Sequence, residues 1–453
     1  MDRPNILLIT DDQHRFDFFE GGAAPGLRAP ALARLRREGT TLTHAYSACP
    51  LCVPTRFTWW YGLRASQGNG AWGDFDDQWP QHLPSIGHAL QGAGYHTAII
   101  GKVHSHSGLR KLDLVARRQE IHDRGFDDVV EMSGKSLVAW FDCTYTRHLE
   151  KQGRLETYRA RLAEDLHLCD PLPFPPEDSM DGLIGRHARA WLEGYDGAKP
   201  FFLHASFCNP HFPYDPPQPY AARYRAEEMP PPEGVEDPDA IARYREIRAA
   251  YCALIEHCDH EIGALLEALD RRGLAENTIV VFTTDHGDMM GHRNRKGKCE
   301  PFDTSVRTPV TARWPGRIPA GVERDALAES IDLPCTLLEA AGLGADATAH
   351  FPSSPGLSYW NVLLGKTDHH RDWAFSEMGP WKLCADQRWK FVHRADGEDL
   401  LFDREADPWE LDNRIADPAQ ADRVRAMQRQ LITSLGETVA PPTQPIAGKG
   451  PFR

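Results

Sequence analysis

Two apolar patterns alternate along the chain. Residues 4–10 (PNILLIT), 41–46, 96–100, 201–207 (FFLHASF) and 278–284 (TIVVFTT) read as strands, most of them short apolar runs with β-branched or aromatic side chains. Between them lie stretches of helical character. Residues 30–38 carry Leu32 and Leu35 and stop at Gly39, residues 55–61 stop at Gly62, residues 85–93 are amphipathic, and residues 240–272 place Tyr251, Leu254, Ile255, Ile262, Leu265 and Leu269 at helical spacing. Strands alternating with helices predict an α/β fold, a mainly parallel doubly wound sheet flanked by helices on both faces.

The remaining stretches decorate that scaffold. Residues 105–179 are charged and weakly periodic, predicting loops and short helices, and the proline-rich residues 216–239 predict irregular backbone. Beyond about residue 345 a Ser/Pro/Gly loop at 351–356 and short strand-like runs at 389–392 and 398–402 predict a small C-terminal α+β subdomain with a short antiparallel sheet. The expected division is a large α/β domain over residues 1–345, the subdomain over 346–439 and an extended Pro/Gly-rich tail over 440–453.

Composition narrows the function classes. A net charge of −14 argues against nucleic-acid or acidic-membrane partners, so an anionic substrate would need a local cluster of Lys and Arg. The apolar run at the N-terminus is short for a signal-peptide core, and no run reaches the roughly 20 residues that span a bilayer. The ten scattered cysteines suit thiols in a reducing compartment, and the expected location is cytoplasmic.

In a doubly wound sheet ligands bind at the carboxyl ends of the strands. Asp11-Asp12, Lys102 with His104, His211 and Asp285-His286 each follow a predicted strand immediately or shortly. Asp11, Asp12, Asp285 and His286 form a hard-ligand set suited to one divalent cation, calcium first, with magnesium or manganese as alternatives. Singly, a strand-end Asp is more often a helix cap or a surface charge; two adjacent pairs weigh against that. Cys52 falls at or just before the N-terminus of the 55–61 helix, where backbone N–H groups favour an anion. Cys49-x-x-Cys52 also matches a redox pair, although that reading gives Pro54, Arg56 and Lys102 no role. The segment carrying Arg293, Arg295, Lys296 and Lys298 supplies the local positive charge, with a solvated basic loop as the plain alternative. Trp59, Trp60, Trp72 and Trp79 could stack on a sugar or cage a quaternary ammonium group, but core packing is the simpler reading.

Five motifs occur in one order: Asp11-Asp12, Cys52-x-Pro54-x-Arg56, Gly101-Lys102-x-His104, Pro210-His211-x-Pro213, and Thr284-Asp285-His286-Gly287 followed by Lys298 and Arg307-x-Pro309. With Leu401-Phe402-Asp403 and Asp407-Pro408-x-Glu410 behind them, the chain resembles a type I sulfatase of the alkaline phosphatase superfamily along nearly its whole length. Choline sulfatase and iduronate sulfatase are the branches nearest in look. The resemblance implies that Cys52 is oxidised by a formylglycine-generating enzyme and that a metal is held by Asp11, Asp12, Asp285, His286 and the modified residue 52. It also implies a hydrated aldehyde that attacks the sulfur of a small organic sulfate monoester. Arg56, Lys102 and Lys298 would hold oxygens, His211 would protonate the leaving alcohol, and His104 would take the proton that lets sulfate leave. A phosphonate monoester or phosphodiester hydrolase of the same superfamily is the alternative, and a non-catalytic binding protein is the alternative of another class. Self-association into a homo-oligomer is left open.

Overall fold

The computed structural model describes residues 3–19, 24, 26–68, 79–80, 82–105 and 111–437; the expected tail and Trp72 lie outside the described residues. Its core is an eight-stranded sheet of β1 (Asn5–Asp12), β2 (Thr40–Tyr46), β3 (His96–Lys102), β4 (Asp128–Met132), β5 (Phe201–Pro210), β6 (Thr278–Thr284), β7 (Arg307–Arg313) and β8 (Val322–Glu329). Their order is β8-β2-β7-β6-β1-β5-β3-β4, with β7 antiparallel to both neighbours and every other pairing parallel.

β1, β5 and β6 are buried at every position because helices cover both faces of the sheet, which is why their sequences run apolar without alternation. The pleat still sorts them. Ile6 and Leu8 enter the core on one face, and Leu7 and Ile9 enter the core on the other. The first face is covered by α2 (Cys52–Tyr61), α3 (Ile86–Gly92) and α6 (Asp332–Ala340). The second is covered by α1 (Pro30–Glu38), α4 (Met180–Gly194) and α5 (Pro238–Arg271), whose 34 residues start behind the Asp237 cap. Trp59, Trp60 and Trp79 are buried in the first core, with Trp60 and Trp79 edge to face at 5.1 Å, so these three form packing rather than a ligand cage.

Residues 374–403 form a four-stranded antiparallel meander, β9 (Ala374–Met378), β10 (Trp381–Ala385), β11 (Trp389–Arg394) and β12 (Leu400–Asp403), against which α7 (Ala421–Glu437) packs Met427 and Leu431. Phe351, Tyr359, Trp360, Val362 and Leu363, on the C-terminal side of the expected division, lie in the core of the large sheet. Among the described residues no helix is long and apolar enough to cross a membrane.

The structure also supplies elements that the sequence pattern does not announce. β4 arises within the stretch read as loops, and β7 and β8 follow segments assigned no strand. β8 is half polar because its first residues lie at the sheet's edge, and β7 carries Pro309. Residues 216–239 contain only short 3-10 turns at Tyr220–Arg223 and Ala226–Glu228 and the start of α5, so the irregular reading holds there.

Candidate active site

Strand register assembles the site. Asp11 pairs with Thr284 and Asp12 with Pro210, so the carboxyl ends of β1, β5 and β6 are level. Asp11-Asp12, His211 and Asp285-His286 therefore emerge side by side. Gly101 pairs with Ser206, which brings Lys102 to the same edge. Two motif glycines are required by this close approach. A Cβ on Gly101 would stand 1.9 Å from the Ser206 carbonyl oxygen, and one on Gly287 would stand 2.0 Å from that of Thr304.

Asp12, Cys52, Asp285 and His286 are all buried and offer one ligand atom each, with all four atoms within 4.8 Å of one another. Asp11 stands beside this group rather than in it. Its Oδ2 pairs with His14 Nδ1, while its Oδ1 is buried without a hydrogen-bond partner. That orphaned acceptor, adjacent in the chain to Asp12 of the converging group, fits a hard divalent cation to which Asp11 could add an oxygen. Arg56 spans the two carboxylates, its Nη2 2.9 Å from Asp12 Oδ2 and its Nε 3.2 Å from Asp285 Oδ2. Burial alone would raise the Asp12 carboxyl, but the charges of Lys102, Arg56 and Lys298 outweigh it and hold the group well below the usual carboxylate range. Asp11, with fewer cations, is raised by burial.

Position 52 is the first residue of α2, after an extended Leu51, and α2 ends where Gly62 adopts a left-handed conformation. Cys52 is fully buried. Its Sγ receives Lys298 Nζ at 2.8 Å and lies 3.3 Å from His286 Nε2 and 3.7 Å from Asp12 Oδ1. Burial and Asp12 push its thiol up; Lys102 and Lys298 prevail and bring it well below its ordinary value, so the pocket favours an anion here. Cys49 points elsewhere, with Sγ 3.3 Å from Met378 Sδ, and no disulfide links any of the ten cysteines, all of which are described. The redox alternative has no geometric support.

Lys102 Nζ donates to Asp12, and Ser206 bridges Arg56 Nη1 (2.8 Å) and the Lys102 carbonyl (2.8 Å). His211 accepts Lys298 Nζ at Nε2 (3.0 Å) and holds the Phe212 carbonyl through Nδ1. The imidazole is thus neutral with its proton on Nδ1; burial, with Lys298 beside it, lowers it to about 3. His104 is buried in left-handed backbone (φ 56°) and lines a small cavity with Arg117, Glu131 and Ser133, to which none of Asp12, Cys52, Lys102, Asp285 and His286 contributes. Of the basic segment, Lys298 reaches the site. Arg293 donates to the Glu410 carbonyl, Arg295 pairs with Glu300, and Arg307 donates to the Thr43 carbonyl at the start of β7.

Three supporting residues escaped the sequence reading. Gln13, in left-handed backbone (φ 68°), donates its N–H to Asp285 (2.9 Å) and its side-chain amide to Asp288. Asp288 also accepts the N–H groups of Met290 (2.9 Å) and Gly297 (3.1 Å), tying the Asp285-His286 turn to the residue before Lys298. Ser206 is the third. Adjacency to the Asp-Asp and Asp-His-Gly motifs was the available signal for the first two; Ser206 had none.

The sulfatase family model matches residues 4–343, and a model described as the C-terminal part of N-sulphoglucosamine sulphohydrolase matches residues 298–436. The chain belongs to the sulfatase family, whose members are sulfuric ester hydrolases. It is 30% identical to the multifunctional alkaline phosphatase superfamily protein PehA of Trinickia caryophylli, over 96% of this chain and 95% of that protein. An arylsulfatase of Clostridium perfringens is 28% identical, over 96% and 94%. In fold it is similar to a phosphonate monoester hydrolase from Silicibacter pomeroyi, with a TM-score of 0.81 at 23% identity, covering 97% of this chain and 96% of that one.

Proposed function

We propose that this protein hydrolyses the sulfate monoester of a small organic molecule, using a formylglycine formed from Cys52 and one divalent cation held by Asp12, Asp285, His286, residue 52 and Asp11. The observation that carries the proposal is the setting of position 52, with two carboxylates, an imidazole and the cations of Lys102 and Lys298 gathered around it. When present, the cation and the hydrated aldehyde would supply an activated oxygen nucleophile that can also be regenerated, which a plain thiol cannot offer.

The chain's own residues do the rest. Lys102 and Lys298 neutralise the charge of a bound sulfate and the charge that grows on its oxygens during transfer. Arg56, locked by Asp12, Asp285 and Ser206, keeps the two carboxylates from repelling each other and the head of α2 in place. Lys298 Nζ, bonded to both Cys52 Sγ and His211 Nε2, is the candidate proton donor to the leaving oxygen, and His211 holds that ammonium in place. His104, two residues beyond Lys102 in the chain, is the candidate acceptor for the proton released when sulfate leaves.

A second reading, phosphonate monoester or phosphodiester hydrolysis, is raised by the likeness in fold to the phosphonate monoester hydrolase of Silicibacter pomeroyi. Rates on an aryl sulfate and on a phenyl phosphonate ester separate the two. The proposal expects the sulfate to be turned over faster; a phosphonate preference of orders of magnitude would replace it with the second reading.

A further inference from the structure

Lys135 is buried three residues beyond the end of β4. Its ammonium bonds Asn209 Oδ1 at 3.1 Å and the Pro213 carbonyl at 2.7 Å, and pairs with Asp215 Oδ1 at 2.6 Å. Asp215 is held in turn by Tyr158, whose hydroxyl donates to Oδ2 at 2.9 Å. Asn209 and Pro213 flank His211 on both sides, so one cation fastens both ends of the five residues that present the imidazole. Asp181 anchors the same end of β5 by accepting the N–H groups of Cys208 (2.7 Å) and Asn209 (2.8 Å).

We propose that Lys135 is a positioning residue for leaving-group protonation: by clamping Asn209 and Pro213 it fixes His211 Nε2 against Lys298 Nζ. The inference rests on the role given to His211 and Lys298 above. A loop fixed at one end only could still fold, but its imidazole would drift by fractions of an ångström, enough to weaken a proton transfer that depends on hydrogen-bond reach. The Lys135 ammonium is engaged by Asn209, Pro213 and Asp215 rather than by position 52, Asp12 or Asp285, so its loss should leave the nucleophile and the sulfate-binding cations as they are.

The discriminating readout is leaving-group dependence. Proton donation matters greatly for phenyl sulfate and little for 4-nitrophenyl sulfate, whose phenolate leaves unaided. Lys135→Met alone would strand a buried carboxylate, so the variants are Lys135→Met/Asp215→Asn, which removes both charges, and Lys135→Arg, which keeps the charge but changes its shape. In whichever folds with an unchanged melting temperature, kcat on phenyl sulfate should fall at least about tenfold more than on 4-nitrophenyl sulfate. In a His211→Ala background the same change should cost nothing further. Equal losses on the two esters, or losses that multiply with His211→Ala, would overturn the inference while leaving the sulfatase reading intact. If the unaltered protein turned over neither ester, the sulfatase reading would fall and this inference with it.

Discussion

Lys102 and Lys390 are both buried lysines, and the difference between them separates a site from a strut. In each case burial pulls the ammonium down and neighbouring carboxylates more than restore it, so both remain charged above the ordinary lysine value. Lys390, on β11, meets Asp303, Glu410 and the Pro301 carbonyl, and Glu410 Oε2 accepts the Asp303 N–H at 2.7 Å. These groups satisfy one another and join the small sheet to the large one. Lys102 meets one carboxylate, Asp12, which it shares with Arg56, and its charge bears on Cys52. The groups around Lys102 converge on position 52, and Asp11 Oδ1 beside them is an acceptor with nothing to accept. Buried charge by itself marks neither function nor stability. Convergence on one reactive position marks function.

Exchanging each lysine for methionine tests that contrast. Lys102→Met is expected to lower kcat/KM by about 10²- to 10³-fold on an aryl sulfate, because a charge-stabilising donor is lost, while urea unfolding changes little since Asp12 keeps Arg56. Lys390→Met should do the reverse. It strands Asp303 and Glu410 together and is expected to cost about 3–5 kcal/mol in urea unfolding, with activity per folded molecule nearly unchanged. If Lys390→Met destroyed activity in fully folded protein, or Lys102→Met destabilised as strongly, the distinction would fail.

A smaller effect sharpens the picture of the scaffold. His257, on α5, is buried and lowered to about 3, by burial first and then by Lys135. A histidine depressed in the folded state contributes stability above its unfolded value near 6.5 and loses it as pH falls towards 3. Asp181, pushed up to about 7 by burial, works in the opposite sense, its contribution being complete at low pH and lost as pH rises through 7. The histidine contribution is therefore read as a difference. Between pH 6 and 4, His257→Gln should lose stability less steeply than the parent, by up to about 1.4 kcal/mol per pH unit. Parallel curves for the two proteins would show that His257 does not stay neutral in the folded state.

What was legible in the sequence follows from the same physics. β1, β5 and β6 read clearly because both faces are buried, and their ends carried the Asp-Asp, Pro-His and Asp-His motifs that define the site. β4 and β8 were obscured because edge strands mix polar and apolar positions, and β7 because Pro309 interrupts it. Ser206 and Lys135 were invisible for another reason. Each acts through partners distant in the chain, Arg56 for one and Asn209 with Pro213 for the other, and no local spacing encodes such contacts.

Everything proposed for the site turns on position 52 acting as an oxygen nucleophile rather than as a thiol. Mass spectrometry of the peptide containing Cys52, in protein isolated from its native host, addresses it directly. The aldehyde, or its hydrate, is expected at that position in the active protein. An unmodified thiol at position 52 in protein that turns over sulfate esters would contradict it.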